Sequence, residues 1–301
     1  MIGAIGRSFV TLGVLILLFV IYQLWGTGLY TSREQDKLRD TFTSSLEQRG
    51  DRPTTTTSSS ETDVSAPTVT TTTAPPARIA ALASNGEPIA QIRIPRIAVD
   101  SIVVQGVARV DLRKGPGHYP DSPLPGQEGN AAIAGHRTTY GAPFGNLEQL
   151  EEGDRIFVRT FQGDFTYEVY QANLIVQPTD VHVLEPDQRP GFEATLTLTT
   201  CNPKYSAAQR LVVKAALQEE PLPAPEGTST AKPTKVGLSG EESSTTPTLI
   251  AGLIVALIGT LWWLLFHRHP SLTNWLVGVV PFAVALVVFY ALLERVLPSN
   301  Y

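Results

Sequence analysis

Cysteine is nearly missing from this chain: Cys201 is the only one in 301 residues. A lone thiol closes no internal disulfide, and without a C-x-x-C pair there is no dithiol redox centre. Positive charge is also scarce. The 23 Lys and Arg face 28 Asp and Glu, for a formal net charge of −5. That balance lacks the electrostatic footprint of a nucleic-acid binder, and no nucleic-acid partner is expected. No internal repeat is present. No metal site or cofactor is indicated, since acidic groups such as Glu151, Glu152 and Asp154 read equally well as a solvated turn.

Charge of either sign is wholly absent from two stretches, Leu249 to Phe266 with 18 residues and Trp275 to Leu293 with 19. A third apolar run, Phe9 to Trp25, has 17 residues broken by little more than Thr11 and Gln23. Roughly 20 apolar residues carry a helix across a hydrocarbon core of about 30 Å. Three transmembrane helices are therefore expected. The first run ends on Gln23, Leu24 and Trp25 with no A-x-A pattern, so it reads as an uncleaved anchor rather than a cleaved signal. Arg7 precedes it, which argues for a cytoplasmic N-terminus, an extracytoplasmic centre and an inner loop at His267-Arg268-His269-Pro270. Arg33, Lys37 and Arg39 weaken that assignment from the outer side.

Between the spans, composition divides the chain. Residues 1–30 read as a membrane anchor and 31–86 as an extracellular stalk. Gly50 to Pro76 is dominated by Thr, Ser and Pro, too little apolar surface to offset the entropy of ordering. Within the stalk, Leu38, Phe42 and Leu46 recur every fourth residue and predict a juxtamembrane helix over Thr31 to Arg49. Residues 219–248 form a second polar linker, and 249–293 carry the two C-terminal spans. What remains is a folded unit over residues 87–218, about 130 residues. Its pattern is mainly β. Strands are expected at Ile89 to Ile94, Val99 to Val104, Ala131 to Gly135, Arg155 to Thr160, Phe165 to Val176, Ala194 to Thr200 and Leu211 to Ala216. Gln162-Gly163-Asp164 marks a hairpin. A short helix is expected at Phe144 to Leu150 and a turn at Asp111 to Lys114. Many short strands of this kind suggest a closed or nearly closed barrel.

Cys201 ends the Thr197-Leu198-Thr199-Thr200 strand, and Asn202-Pro203 stops the ladder. Arg210 starts the next strand nine residues on. Two adjacent strand ends would set a cation beside the thiol, where it could lower the thiol pKa and face a developing oxyanion. A base is needed as well. His118, His136 and His182 are candidates, and His136 ranks first because it also follows a strand. Spacing alone leaves an inert buried Cys201 open.

Thr197-Leu198-Thr199-Thr200-Cys201 with Arg210 resembles the TLxTC…R signature of sortases. Ala134-Gly135-His136-Arg137 resembles their histidine segment, and Gly115-Pro116-Gly117-His118-Tyr119-Pro120 another common segment, in the right order across residues 87–218. The resemblance implies an eight-stranded β-barrel and a transpeptidase. It makes Cys201 the nucleophile, His136 the general acid/base and Arg210 the oxyanion or positioning group. Thr200, His118 and Tyr140 become candidate substrate-binding residues. The implied partners are surface proteins bearing an LPxTG- or LAxTG-like sorting signal, a cell-wall precursor amine and the membrane. His136 to Phe144 and Cys201 to Lys204 look like class E sortases. The C-terminal spans are reminiscent of class C pilin polymerases, but the Asp-Pro-aromatic lid tripeptide of that class is absent. The alternatives are such a polymerase, an L,D-transpeptidase whose cysteine motif this chain lacks, and a non-enzymatic stalked wall-binding domain.

Overall fold

Alternation of apolar and polar residues forms a strand at Pro88–Ile94 (β1), which turns at Pro95–Ile97 into Val99–Gln105 (β2). Pro95 suits the start of that 3-10 turn because its φ is already helical and it brings no N–H to the ladder. In the computed structural model of the protein, the described residues are 13–50, 84–223, 245–266 and 272–296. Arg7, the Thr/Ser/Pro tract beyond residue 50, most of the second linker and the His267-to-Pro270 loop lie outside them.

The remaining strands are Gly117–His118 (β3), Gly129–Ala134 (β4), Arg155–Thr160 (β5), Gly163–Val176 (β6), Ala194–Asn202 (β7) and Gln209–Leu217 (β8). They close in the order β1-β2-β3-β4-β7-β8-β6-β5, and β5 returns to β1. The expected eight-stranded barrel is thus the observed one. Ile92, Ile94, Ile133, Ile156, Tyr167, Leu196, Leu198 and Val213 fill its interior. The expected helix over Phe144 to Leu150 shrinks to a 3-10 turn at Leu147–Gln149, and a single α-turn forms at Arg109–Leu112.

β7 alternates Thr and Leu as a half-exposed strand would, yet it is buried on both faces up to Cys201. A second apolar cluster, with Val107, Leu112, Tyr119, Val183 and Leu184, covers its outer side. Buried hydroxyls need partners. Thr195 and Thr197 both donate to the Asn130 side-chain oxygen, at 3.0 and 2.9 Å.

A helix runs through residues 13–21, passes a π-helical turn at Tyr22–Gly26 and continues as Thr27–Gly50 (α1). Leu38 and Phe42 pack on Ile102 and Val104 of β2. Gln35 works like an added strand: Nε2 donates to the Ile102 and Lys114 carbonyls (3.0 and 2.8 Å) and Oε1 accepts from the Ile102 N–H (2.7 Å). Burial of a Phe or Leu side chain is worth roughly 1.5–3 kcal/mol. The half-exposed Arg39–Asp100 pair adds at most about 1 kcal/mol, so the apolar contacts and Gln35 dominate the docking. The stalk expected over residues 31–86 therefore begins with a helix held on the barrel.

Two helices follow the barrel, Thr246–Phe266 (α2) and Leu272–Val296 (α3). Among the described residues, one helix is long and apolar enough to cross a membrane, at Thr246–Leu264; the apolar stretch Gly278–Leu293 is shorter. The two pack closely, since a Cβ added at Gly252 or Gly259 would come within 3.2 Å of the Phe289 or Phe282 ring. The Tyr290 hydroxyl of α3 donates to the Leu15 carbonyl at 2.6 Å, and its ring meets Phe19 edge-on at 5.0 Å.

Candidate active site

Three neighbouring strands line up the sequence-expected triad. β7 and β8 pair antiparallel with Cys201 directly opposite Arg210. β4 and β7 pair in parallel, Ala134 beside Thr199. Two residues further, the same register sets His136 beside Cys201. That register persists past the end of β4, because the Gly135 N–H donates to the Thr199 carbonyl (3.0 Å) and the Thr200 hydroxyl to the Gly135 carbonyl (2.7 Å). Side chains alternate between faces with period two. Ile133, Leu198 and Leu211 point into the barrel, so His136, Cys201 and Arg210 share the outer face. Neighbouring strands lie about 4.8 Å apart, which makes the three a contiguous row. All three are closed off, at 4%, 1% and 2% exposure.

Burial pushes the Cys201 thiol up to about 11, from an ordinary 9.0, and Arg210 and then Arg137 pull it partly back. A neighbouring cation by itself lowers a thiol pKa, but here desolvation wins over both guanidiniums. The Arg210 Nη1 donates to the Ala207 and Gln209 carbonyls (3.1 and 3.0 Å), which fixes its plane in the β7–β8 connection.

Arg137, next to His136 in the histidine segment, has a role that the sequence does not reveal. Its Nη1 donates to the Cys201 carbonyl at 2.8 Å and to Asn202 Oδ1 at 2.7 Å, and Nη2 pairs with Glu148 at 3.2 Å. Glu148 also holds Lys204 at 2.9 Å. Desolvation pushes the Glu148 carboxyl up, but Lys204 and Arg137 outweigh it and the pKa is lowered overall. Arg137 therefore ties the segment after His136 to the backbone of the thiol residue. The available signal was its place next to His136; its acceptor is a main-chain carbonyl, which leaves no mark in sequence.

The loop after His136 curls back over it. Thr139 Oγ1 lies 3.3 Å from His136 Nδ1, and the Tyr140 ring packs on the imidazole with centroids 5.0 Å apart. Tyr140, Gly141 and Ala142 all take positive φ, at 51°, 73° and 44°.

Two of the candidate binding residues are placed elsewhere. His118 belongs to β3 rather than a rigid loop. It is fully buried, with Nδ1 3.0 Å from the Gln105 amide oxygen and Nε2 2.9 Å from the Pro123 carbonyl. Burial lowers its pKa to about 4, against an opposing pull from that carbonyl. With both ring nitrogens set against oxygens of the fold, His118 braces β3 against the Pro123 segment. Thr200 points inward, and its hydroxyl donates to the Gly135 carbonyl at 2.7 Å. Tyr140 does stand at the row, against His136. His182 lies on the turn Val181–Leu184, largely exposed and paired with Glu185 at 3.2 Å.

A thiol, an imidazole and a guanidinium in one line form the set that acyl transfer uses: nucleophile, proton carrier and cation for a developing oxyanion. Comparison with known proteins agrees with this chemistry. The family model for the sortase domain matches residues 92–218. Sortase SrtE1 of Streptomyces coelicolor is 30% identical over 232 residues, 72% of this chain, and the match spans only 57% of that relative's length. Sortase SrtE2 of the same organism is 28% identical over 70% of this chain and 80% of its own. Among solved structures, sortase E from Streptomyces avermitilis is 37% identical over 46% of this chain and 93% of its own, with a TM-score of 0.40. Residues 92–218 thus form a sortase domain, and the chain as a whole is similar to the class E sortases of Streptomyces.

Proposed function

We propose that this chain cleaves an LPxTG- or LAxTG-like sorting signal through a thioacyl intermediate on Cys201 and transfers the protein to a cell-wall amine. The observation that carries the reading is the single row His136, Cys201, Arg210 across β4, β7 and β8. The sulfur attacks the carbonyl carbon of the Thr–Gly bond, and the thiol proton passes to His136. Arg210 faces the oxyanion that forms. His136 then protonates the departing amine as the C–N bond breaks. An incoming amine attacks the thioester, loses its proton to His136 and forms the new amide as the C–S bond breaks. His136 hands that proton to the departing sulfur, so Cys201 leaves as a thiol, the form its burial favours.

In this reading Tyr140 lines the substrate side of His136. The apolar run at residues 9–25 and helices α2 and α3 are three membrane spans, with the N-terminus cytoplasmic and the barrel outside. The partners are then secreted proteins with the signal and a lipid-linked amine at the membrane surface. The test is cleavage of LPxTG and LAxTG peptides by the full chain in detergent. Cys201→Ala should abolish turnover and the thioacyl adduct seen by mass spectrometry. Substantial turnover by that variant would reject the reading.

A further inference from the structure

The three successive positive φ values at Tyr140, Gly141 and Ala142 mark a backbone that does not hold itself. Left-handed conformations at non-glycine residues cost of order 1 kcal/mol or more each and persist only where surroundings over-determine them. Part of that determination comes from far along the chain. The Tyr140 N–H donates to Thr27 Oγ1 at 3.1 Å, across 113 residues of sequence. Thr27 is the first residue of α1, directly after the π-helical turn, and is buried. Its hydroxyl donates to the Gln23 carbonyl at 2.6 Å, so both its donor and its acceptor roles are engaged.

One turn further on, Thr31 Oγ1 donates to the Arg113 carbonyl at 2.8 Å. The Arg113 guanidinium lies over the Tyr140 ring at 5.5 Å, and Tyr30 meets the same ring edge-on at 6.4 Å. The other face of the interaction is His136, 5.0 Å from Tyr140 between ring centroids. A chain of direct contacts therefore runs from α1 through Tyr140 to the imidazole. The Gln35, Leu38 and Phe42 contacts on β2 hold α1 in place along the barrel, so the link has a fixed base.

We propose that Thr27 is a positioning residue for the transpeptidase centre: it pins the strained Tyr140 backbone and so sets the Tyr140 ring against His136. The N-terminal helix, which is continuous with residues 13–21, is then a wall of the active site and not only a tether. This inference rests on His136 serving the proposed acyl transfer.

The test uses the full chain in detergent, with Thr27→Val and Thr27→Ser. Valine keeps the shape and removes the acceptor, leaving the Tyr140 N–H buried without it; serine keeps the hydroxyl. A lost hydrogen bond to a buried N–H predicts a kcat for peptide cleavage lower by about tenfold in Thr27→Val, with KM within about twofold and recovery in Thr27→Ser. A structural readout is independent of turnover. In histidine-labelled chain, the His136 ring protons carry a ring-current shift from Tyr140, which Thr27→Val should reduce and Thr27→Ser preserve. Unchanged His136 resonances in Thr27→Val overturn the inference, whether or not the peptide is cleaved. Equal loss of kcat in both variants, with unchanged resonances, also overturns it. If the unsubstituted chain cleaves no peptide but its His136 resonances move in Thr27→Val, the functional reading falls and the positioning stands.

Discussion

Alkylation of Cys201 gives the most direct measure of how burial and charge compete at the centre of the row. A thiol with a pKa of about 11 is ionised at pH 7 to about one part in ten thousand, against about one in a hundred at the ordinary 9.0. The interval between 9.0 and about 11 corresponds to roughly 2.7 kcal/mol at about 1.4 kcal/mol per pH unit. Because the thiolate is the reacting species, the rate with iodoacetamide should climb about tenfold per pH unit from pH 7 to 10. The burial of the sulfur lowers the rate at every pH, whereas ionisation alone sets the slope. In the urea-denatured chain the rate should level off near pH 9. Arg210 is the larger of the two cationic pulls, so Arg210→Gln should move the native break higher still. A native profile that levels off below about pH 8 would refute the balance of desolvation over charge. So would an Arg210→Gln profile that breaks at lower pH than the unsubstituted chain.

Three further outcomes follow from the same contacts. His136→Ala should lower kcat for peptide cleavage by about a hundredfold or more while His182→Ala stays within about twofold, and comparable losses in the two would misplace the base. Arg210→Lys should cost about tenfold or more in kcat/KM, because an ammonium cannot reproduce the planar fork held by the Ala207 and Gln209 carbonyls; near-normal turnover would remove the oriented cation. His118 has its pKa lowered from 6.5 to about 4, so the unfolded chain takes up that proton first as pH falls. Stability present above pH 6.5 is then lost on the way to pH 4, by about 3 kcal/mol for this one group, and urea midpoints should show that slope flattened in His118→Gln.

Much of the barrel is legible in sequence because strand alternation is a local signal. Arg155 to Thr160 and the hairpin after it fall where Gly163 and the flanking β-formers set them. The 3.6-residue period of Leu38, Phe42 and Leu46 likewise identifies α1, but what that stripe covers is a non-local fact supplied by Ile102 and Val104. β3 escaped because two residues, Gly117 and His118, are too short for any period to show. In the site, Cys201 and Arg210 were legible as two strand ends separated by a short connection. Their shared burial was not, and burial reversed the expected direction of the thiol pKa. His118 and Thr200 both lie in matching motif segments, and each is engaged by the fold, the one beside Gln105 and the other at Gly135. Motif membership alone cannot separate support from contact with substrate.

The parallel pairing of β4 and β7 bears on how such an enzyme can vary. A hairpin fixes its own register through its turn, so changing the turn moves the strands. The β4–β7 register has no turn to depend on. Thr200 meets Gly135 across 65 residues of sequence, and Asn130 locks Thr195 and Thr197 inside the same pair. The segments that intervene, including the connection from β6 to β7, can lengthen, shorten or be exchanged without sliding His136 past Cys201. The alignment of the row is thereby decoupled from loop length, as a zip stays closed whatever hangs between its two ends.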